Sequence, residues 1–326
     1  MYKNTAAETR PELLAVVMEA QHADDKFIGE QLLPVYPSET RVGDYLRILK
    51  GEGGLLDGAN DDTDELLRAP GTAYKRTGRS FSKDGFNCKD RGLVEPVDDT
   101  NAADIARFFD AESAAARLVH RNVRMRYEKR VKQQIFHATR WGTPLTPLVA
   151  YTSALQTTVN FIEDMKTGIR LVGKRSEKPN VAAMNKNLWD YIQGSALVRT
   201  FFFGANGGNA GITTELVAKY LGLAAILFAE ASYSTAKKGA TVTDAKLAYI
   251  WPDDYIWIGE VKGGAPEEGG AGRTFLWTGD SPELFTVESY RDEDIRSDLV
   301  RVRQDTDEKI VSEAAGVLIA TGANLD

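Results

Sequence analysis

The sequence predicts an α+β chain in which strands and helices are mixed around one very long helix, with a two-stranded loop protruding from the body. Three observations carry this expectation. Residues 101–141 contain neither glycine nor proline, and Ala115, Ala116, Val119, Val123, Tyr127, Val131 and Ile135 recur near the 3.6-residue period of a helix with one buried face. Residues 51–97 are polar and rich in glycine and aspartate, with Tyr74, Phe81 and Phe86 at intervals compatible with strands, a composition that makes no core of its own. From Val181 to Ala229, short apolar runs alternate with amphipathic stretches, the pattern of a compact α/β unit.

In chain order, Pro11–Met18 opens as a short helix, because the missing proline N–H has no partner to lose in a first turn. Phe27–Leu33 and the strand-like Tyr45–Leu49 complete an arm without a core. The long helix is expected from Asn101 to Phe136, roughly 55 Å at about 1.5 Å per residue, and Gly142 and Pro144 end it. Helices follow at Thr158–Thr167, Leu188–Ile192 and Thr213–Tyr220, with strands at Val181–Met184 and Leu223–Ala229. The apolar run Ala196–Phe203 is expected as a strand leading into the glycine-rich Gly204–Gly211. Strands are expected again within Leu247–Val261, at Arg273–Thr278, Asp298–Arg303 and Ile310–Ile319, with a flexible turn at Gly263–Gly272. A late strand pair is expected to return onto the long helix and bury its apolar face.

Lys and Arg number 40 against 47 Asp and Glu, a net charge of -7, which excludes a surface devoted throughout to neutralising phosphates. The charge is segregated. Residues 51–66 hold six acids and no base, among them Asp61, Asp62 and Asp64, whereas residues 117–132 hold seven bases against the single acid Glu128. Such runs either steer subunits onto one another or form two solvated faces of one monomer. Arg117, Arg121 and Arg124 share one helical stripe and are expected to stay exposed for that purpose. Cys88 is the only cysteine, so neither an intrachain disulfide nor a sulfur-rich metal site is possible. Residues 1–10 lack the apolar core of a signal peptide, and no run approaches a membrane span, so synthesis and assembly in a cytoplasm are expected.

The strongest enzyme candidate is Gly204–Gly211, a glycine-rich loop before a helix with Glu230 further on, as in a dinucleotide-binding unit. Its spacing departs from G-x-G-x-x-G, and no Lys-Ser or Lys-Thr follows, so a plain turn is the expected reading. His120 and His137 are expected along the charged side of the helix, and Cys88 in a polar loop with no base beside it. The aspartates from Asp57 to Asp64 lack the glycine and glutamate of a calcium loop. No catalytic residue, cofactor or metal is expected.

The order of elements resembles the major capsid proteins of tailed bacteriophages, the Hong Kong 97 type of fold. Gly71-Thr-Ala-Tyr74-Lys75-Arg76 resembles the rising strand of that family's extended loop, and Gly92-Leu-Val-Glu95-Pro-Val97 its descending end. The helix carrying Arg126-Tyr-Glu128 resembles the spine helix, and Lys178–Trp189 the start of the axial domain. Ala248–Trp251 and Tyr290–Arg303 resemble the axial strand and the return into the peripheral domain. The resemblance implies an arm over residues 1–50, an extended loop over 51–97, a peripheral domain over 98–145 and 291–326, and an axial domain over 146–290. It further implies self-assembly into hexamers and pentamers of an icosahedral virion shell enclosing double-stranded DNA without sequence readout. A separate scaffolding protein, a portal and a decoration protein would be the partners, with no membrane. Tyr74, Lys75, Arg76, Phe81 and Phe86 of the loop are the residues expected to lie on a neighbouring subunit. The alternatives are another phage head component, such as a decoration or neck protein, and a nucleotide-dependent enzyme built on Gly204–Gly211.

Overall fold

The computed structural model describes residues 8–9, 13, 27–48, 68, 70–73, 81–100, 110–175, 177–204, 211–236, 241, 243, 246–280, 282–323 and 325. Its first elements are β1 (Glu8–Thr9), the single-turn helix α1 (Gly29–Leu32), β2 (Val35–Ser38), β3 (Val42–Ile48), β4 (Phe81–Asn87), β5 (Lys89–Asp98) and the long helix α2 (Ala111–Ile135). There follow α3 (Phe161–Lys174), β6 (Val181–Asn185), α4 (Lys186–Gly194), α5 (Ala196–Phe203), α6 (Thr214–Leu221), β7 (Ala225–Ala229), β8 (Ser232–Ser234) and β9 (Leu247–Tyr249). The last strands are β10 (Tyr255–Gly259), β11 (Gly272–Trp277), β12 (Thr286–Asp292), β13 (Ser297–Ile310) and β14 (Gly316–Ala320).

Asp110 starts the long helix. Its backbone is extended (φ -72°, ψ 113°) and its carboxylate accepts the Ser113 N–H at 3.3 Å, satisfying one of the first-turn donors that a helix leaves unpaired. The helix therefore runs 25 residues, about 38 Å, and the single helix expected from Asn101 is corrected: an extended Asp110 interrupts it. Residues 101–109 lie outside the described residues. The apolar stripe falls where the periodicity places it, with Val119, Val123, Tyr127, Val131 and Ile135 all buried.

The centre of the body is a six-stranded sheet in the order β1-β12-β13-β11-β2, with β5 along the other side of β13. Ser297–Arg303 of β13 pair with β12 and Thr306–Ile310 with β11, while β5 covers Ser297–Thr306 from the opposite side. All pairs are antiparallel except β11 with β2. The inner face of this sheet, through Val287, Val300 and Val302, closes a core with the apolar stripe of α2 and with Leu32 and Leu33 of the arm. The expected late strands thus do return onto the helix. β13 extends to Ile310, beyond the expected Arg303, because the charges of its second half are paired. Arg303 contacts Glu288, Asp280 and Asp305, and Asp305 in turn meets Arg41 at 3.6 Å.

A second sheet, β14-β10-β6-β7, is buried on both faces. Alternation along its strands sends Trp257, Ala183 and Leu318 into the core of α2, and Ile256, Ile258, Ala182, Met184, Val317 and Ile319 into a second core beneath α3, α4 and α6. Gly168 lets α3 settle on this sheet: a Cβ there would lie 2.7 Å from Ile258 Cδ1.

The sheets divide the chain at points other than the expected boundaries. β2, from the expected arm, and β11 and β12, from the expected 146–290 unit, belong to the six-stranded sheet, whereas β14, from the expected 291–326 return, is an edge of the four-stranded sheet. β5, expected as the descending end of the loop, is paired with β13 along its whole length. Ala196–Phe203 is a helix where a strand was expected, because Val198 and Phe202, four residues apart, are the pair that faces the second core.

The glycine-rich turn before β11 is closed around a buried guanidinium. Arg273, 0% exposed, donates to the carbonyls of Gly263, Gly264, Gly269 and Gly272 at 2.8–3.1 Å. Replacing it with methionine keeps the bulk and leaves those carbonyls unpaired, so Arg273→Met is expected to lower stability by about 3 kcal/mol in urea denaturation. Arg273→Lys should recover less than half of the loss, since an ammonium lacks the planar fork that reaches several carbonyls at once.

Candidate assembly surfaces

The arm is fastened to its own subunit. Glu128, the single acid in the basic part of α2, is turned inward, and its carboxylate accepts the Ile28 N–H at 2.9 Å, the Gly29 N–H at 2.8 Å and the Trp251 Nε1–H at 2.7 Å. Gly29 is required there, because a Cβ would sit 2.5 Å from Glu128 Oε2. Burial pushes the Glu128 carboxyl above its ordinary value, against the pull of the three donors and of Arg124. Thr274 Oγ1 donates to the Leu33 carbonyl at 3.0 Å and so closes the other end of the hook.

This arrangement sorts the basic residues of α2. Arg117 and Arg121 are exposed, and their side chains have no partner among the described residues. Arg124, expected beside them, is turned aside: its Nε is 3.3 Å from Glu30, its guanidinium lies 4.7 Å over the Phe27 ring, and only 12% of the side chain is exposed. The exposed stripe of three is therefore reduced to two, because the arm occupies one flank of the helix. Arg130 makes a two-pronged contact with Glu308 at 2.9 and 3.0 Å. Arg126 is exposed with no partner among the described residues, and Lys129 lies 4.7 Å from the centre of the Tyr233 ring.

The stem of the expected loop starts earlier than its composition suggests. β3 and β4 pair from Val42↔Asn87 to Ile48↔Phe81, so the ascending strand lies before Gly51, within the expected arm. At the base, the Cys88 N–H donates to the Arg41 carbonyl at 2.9 Å, and Arg41 Nε donates back to the Cys88 carbonyl at 3.1 Å. Phe86, expected to meet a neighbour, is buried in its own subunit, stacked on Phe275 at 4.3 Å and 3°. Tyr45 Oη donates towards Asp84 at 3.1 Å and the Ile310 carbonyl at 3.3 Å, locking the stem to the end of β13. The opposite face of β3 shows Val42, 63% exposed, and Leu46, 39% exposed, to solvent. Phe81 stands in β4 with its side chain outside the described residues, and Tyr74, Lys75, Arg76, Asp61, Asp62 and Asp64 lie outside them altogether.

One surface was missed by the sequence reading. Phe201 and Tyr220 form an edge-to-face pair at 4.9 Å on α5 and α6, 48% and 44% exposed, with the exposed Leu197 and Leu216 one turn before them on the same helix faces. Lys166 Nζ donates to Tyr220 Oη at 2.9 Å. The run of phenylalanines was visible, but reading it as a strand hid which of them point outward.

The positions examined for chemistry serve the fold. Cys88 is buried with Sγ 3.5 Å from the Phe275 carbonyl, and burial, aided by Asp307 and Asp305, pushes its thiol up to about 11. His120, expected on the charged side of the helix, is buried edge-on to Phe285 at 4.9 Å, and burial with nearby Arg124 lowers its pKa to about 4. Residues 205–210 of the glycine loop lie outside the described residues, and the element before it is α5, not the strand of a dinucleotide-binding unit. Among the described residues, no group of three or more His, Cys, Asp or Glu could hold a metal ion, and no helix is long and apolar enough to cross a membrane.

No protein-family model matches the chain, and no curated protein matches it in sequence. Solved structures match it in fold. A phage-related protein from Bordetella bronchiseptica RB50 superposes with a TM-score of 0.69 over 98% of both chains, at 18% identity. The capsid of the cyanophage P-SCSP1u gives 0.60 at 12% identity over 91% of this chain and 88% of that one. The virus-like particle from Pyrococcus furiosus gives 0.59 at 9% identity over 95% and 98%. At such identities the likeness is one of fold. The chain has an α+β fold of the Hong Kong 97 capsid type, as the order of elements in the sequence implied.

Proposed function

We propose that this chain is the major capsid protein of a tailed bacteriophage or a relative, a shell subunit that assembles with copies of itself and catalyses nothing. The observation that supports the reading is the likeness in fold over 98% of both chains to a phage-related protein, joined by further matches to capsids and a virus-like particle. The surface supports it too: the apolar outer face of β3 and the aromatic patch of α5 and α6 are exposed in the single subunit, as faces awaiting a partner are. In this reading hexamers and pentamers close an icosahedral shell in the virion after synthesis in the host cytoplasm. The shell holds double-stranded DNA without sequence readout. A separate scaffolding protein, a portal and a decoration protein complete the list of partners. The loop residues Tyr74, Lys75 and Arg76 lie on a neighbouring subunit, and Arg117 and Arg121 face contacts between subunits. Negative-stain microscopy of the purified chain tests the reading: closed shells, tubes or ring-shaped capsomers are expected, and a chain that stays monomeric at every salt and protein concentration refutes it.

A further inference from the structure

A groove runs between α2 and β5, and we propose that it receives the acidic segment 52–67 of a second copy of this chain. The proposal rests on the reading of the chain as a self-assembling subunit and assigns that assembly a particular contact.

The groove has a volume of about 630 Å³ and opens into a second hollow of about 390 Å³, the two sharing Leu93, Arg126 and Lys129. Its floor is apolar, made by Leu93 of β5 and Val123 and Met125 of α2. Its rim is basic. Arg126 and Lys129 have no carboxylate partner among the described residues, and Arg91 donates to the Thr306 carbonyl at 2.7 Å. Arg130 also lines it, its charge already met by Glu308, and Asp90 is the one acid in the lining. Four consecutive residues of β5, Asp90 to Leu93, border the groove together with Gln304 of the paired β13, so it follows the length of the strand beside α2. β5 pairs only with β13 among the described residues, which leaves its outer row of N–H and C=O groups available to an added strand.

These features select a polypeptide over nucleic acid. A duplex offers phosphates to the rim but no amides to a strand edge and little apolar surface to the floor. Residues 52–67 offer all three: six acids, Glu52, Asp57, Asp61, Asp62, Asp64 and Glu65, no base, and the leucine pairs Leu55-Leu56 and Leu66-Leu67. The segment comes from another copy because its stem leads the wrong way. Along β13 the groove lies beside Arg303, opposite Gly92, whereas the stem departs at Asp307, bonded to the Asn87 N–H, and continues past Ile310, bonded to Tyr45. The described stem of each chain therefore leads away from that chain's own groove.

Charge exchange tests the contact in the full-length chain. Arg126→Glu with Lys129→Glu, and separately Asp61→Lys with Asp62→Lys and Asp64→Lys, are each expected to cut the yield of closed particles at least tenfold with an unchanged circular dichroism spectrum. Combining both sets should restore the yield to within about threefold of wild type; folded chains that remain defective when combined overturn the proposal. In parallel, a fluorescein-labelled peptide of residues 50–68 is titrated into the wild-type chain. Binding that weakens with salt, and weakens at least tenfold in the Arg126→Glu, Lys129→Glu chain, is expected. Equal binding by both chains, or a DNA duplex that needs Arg126 and Lys129 while the peptide does not bind, overturns it. A wild-type chain that stays monomeric at every salt and protein concentration refutes the shell reading alone, and the peptide then decides the groove by itself.

Discussion

Replacing Glu128 with alanine is expected to destabilise the folded chain by about 4 kcal/mol, near the upper end of what single substitutions do. The carboxylate is the common acceptor for Ile28 N–H, Gly29 N–H and Trp251 Nε1–H, and its removal leaves three buried donors unpaired, each costing about 1–3 kcal/mol. The loss is not confined to those bonds. Leu32 and Leu33, both 0% exposed, sit behind the hook and contribute on the order of 2 kcal/mol each while it holds. Limited proteolysis should therefore cut near residues 27–33 in the variant before any other site. Glu128→Gln keeps the volume but presents an amide N–H₂ to an N–H donor, so an intermediate loss of about 2 kcal/mol is expected. A urea midpoint unmoved by either substitution would show that the arm is held by its leucines alone.

Joining Ile48 to Phe81 through an Asn-Gly turn, with residues 49–80 removed, is expected to abolish closed particles while leaving the subunit folded. Ile48 and Phe81 face each other in register, so a two-residue turn closes the stem without distorting it. The stem is anchored by Phe86 on Phe275 and by Tyr45 on Ile310, both retained. The urea midpoint should stay within error of wild type, and microscopy should show no shells. A cut that reached Phe86 would mix two effects, because that ring belongs to the subunit's own core. Shells at wild-type yield from the short-turn chain would remove the loop from the assembly mechanism.

The spine helix was legible because its signal is local: Val119, Val123, Tyr127, Val131 and Ile135 repeat on one face whatever they pack against. Its start was legible as well, in Asp110 three residues before Ser113, but the uninterrupted apolar pattern from Ile105 outweighed the cap. Pairing was not legible. Nothing in Lys89–Asp98 announces that β13, some two hundred residues later, is its partner, so the strand passed for part of a free hairpin. The same limit applies to charges. Arg124 looks solvent-exposed on a helical wheel until the arm delivers Glu30 and Phe27 to it, and the second half of β13 looks like a polar loop until Arg41 and Asp280 arrive from elsewhere. Of the expected assembly residues, Arg117 and Arg121 are where the pattern placed them, and Phe86 is not, because an aromatic residue in a polar stretch signals a contact without saying with which chain.

The position of β13 in the order of synthesis has its own consequence. The strand that joins β5, β11 and β12 is made after all of them, and β14, which completes the wall between the two cores, is made later still. While the chain is still emerging from a ribosome, β5 has no β13 to lie on, and nothing yet seats it beside α2 to form the groove. If the chain assembles through that groove as proposed, a nascent chain is unable to dock with its neighbours on a polysome, however many are being made side by side. On that proposal docking competence arrives only with residues 297–320, and a subunit enters the assembly pool all at once.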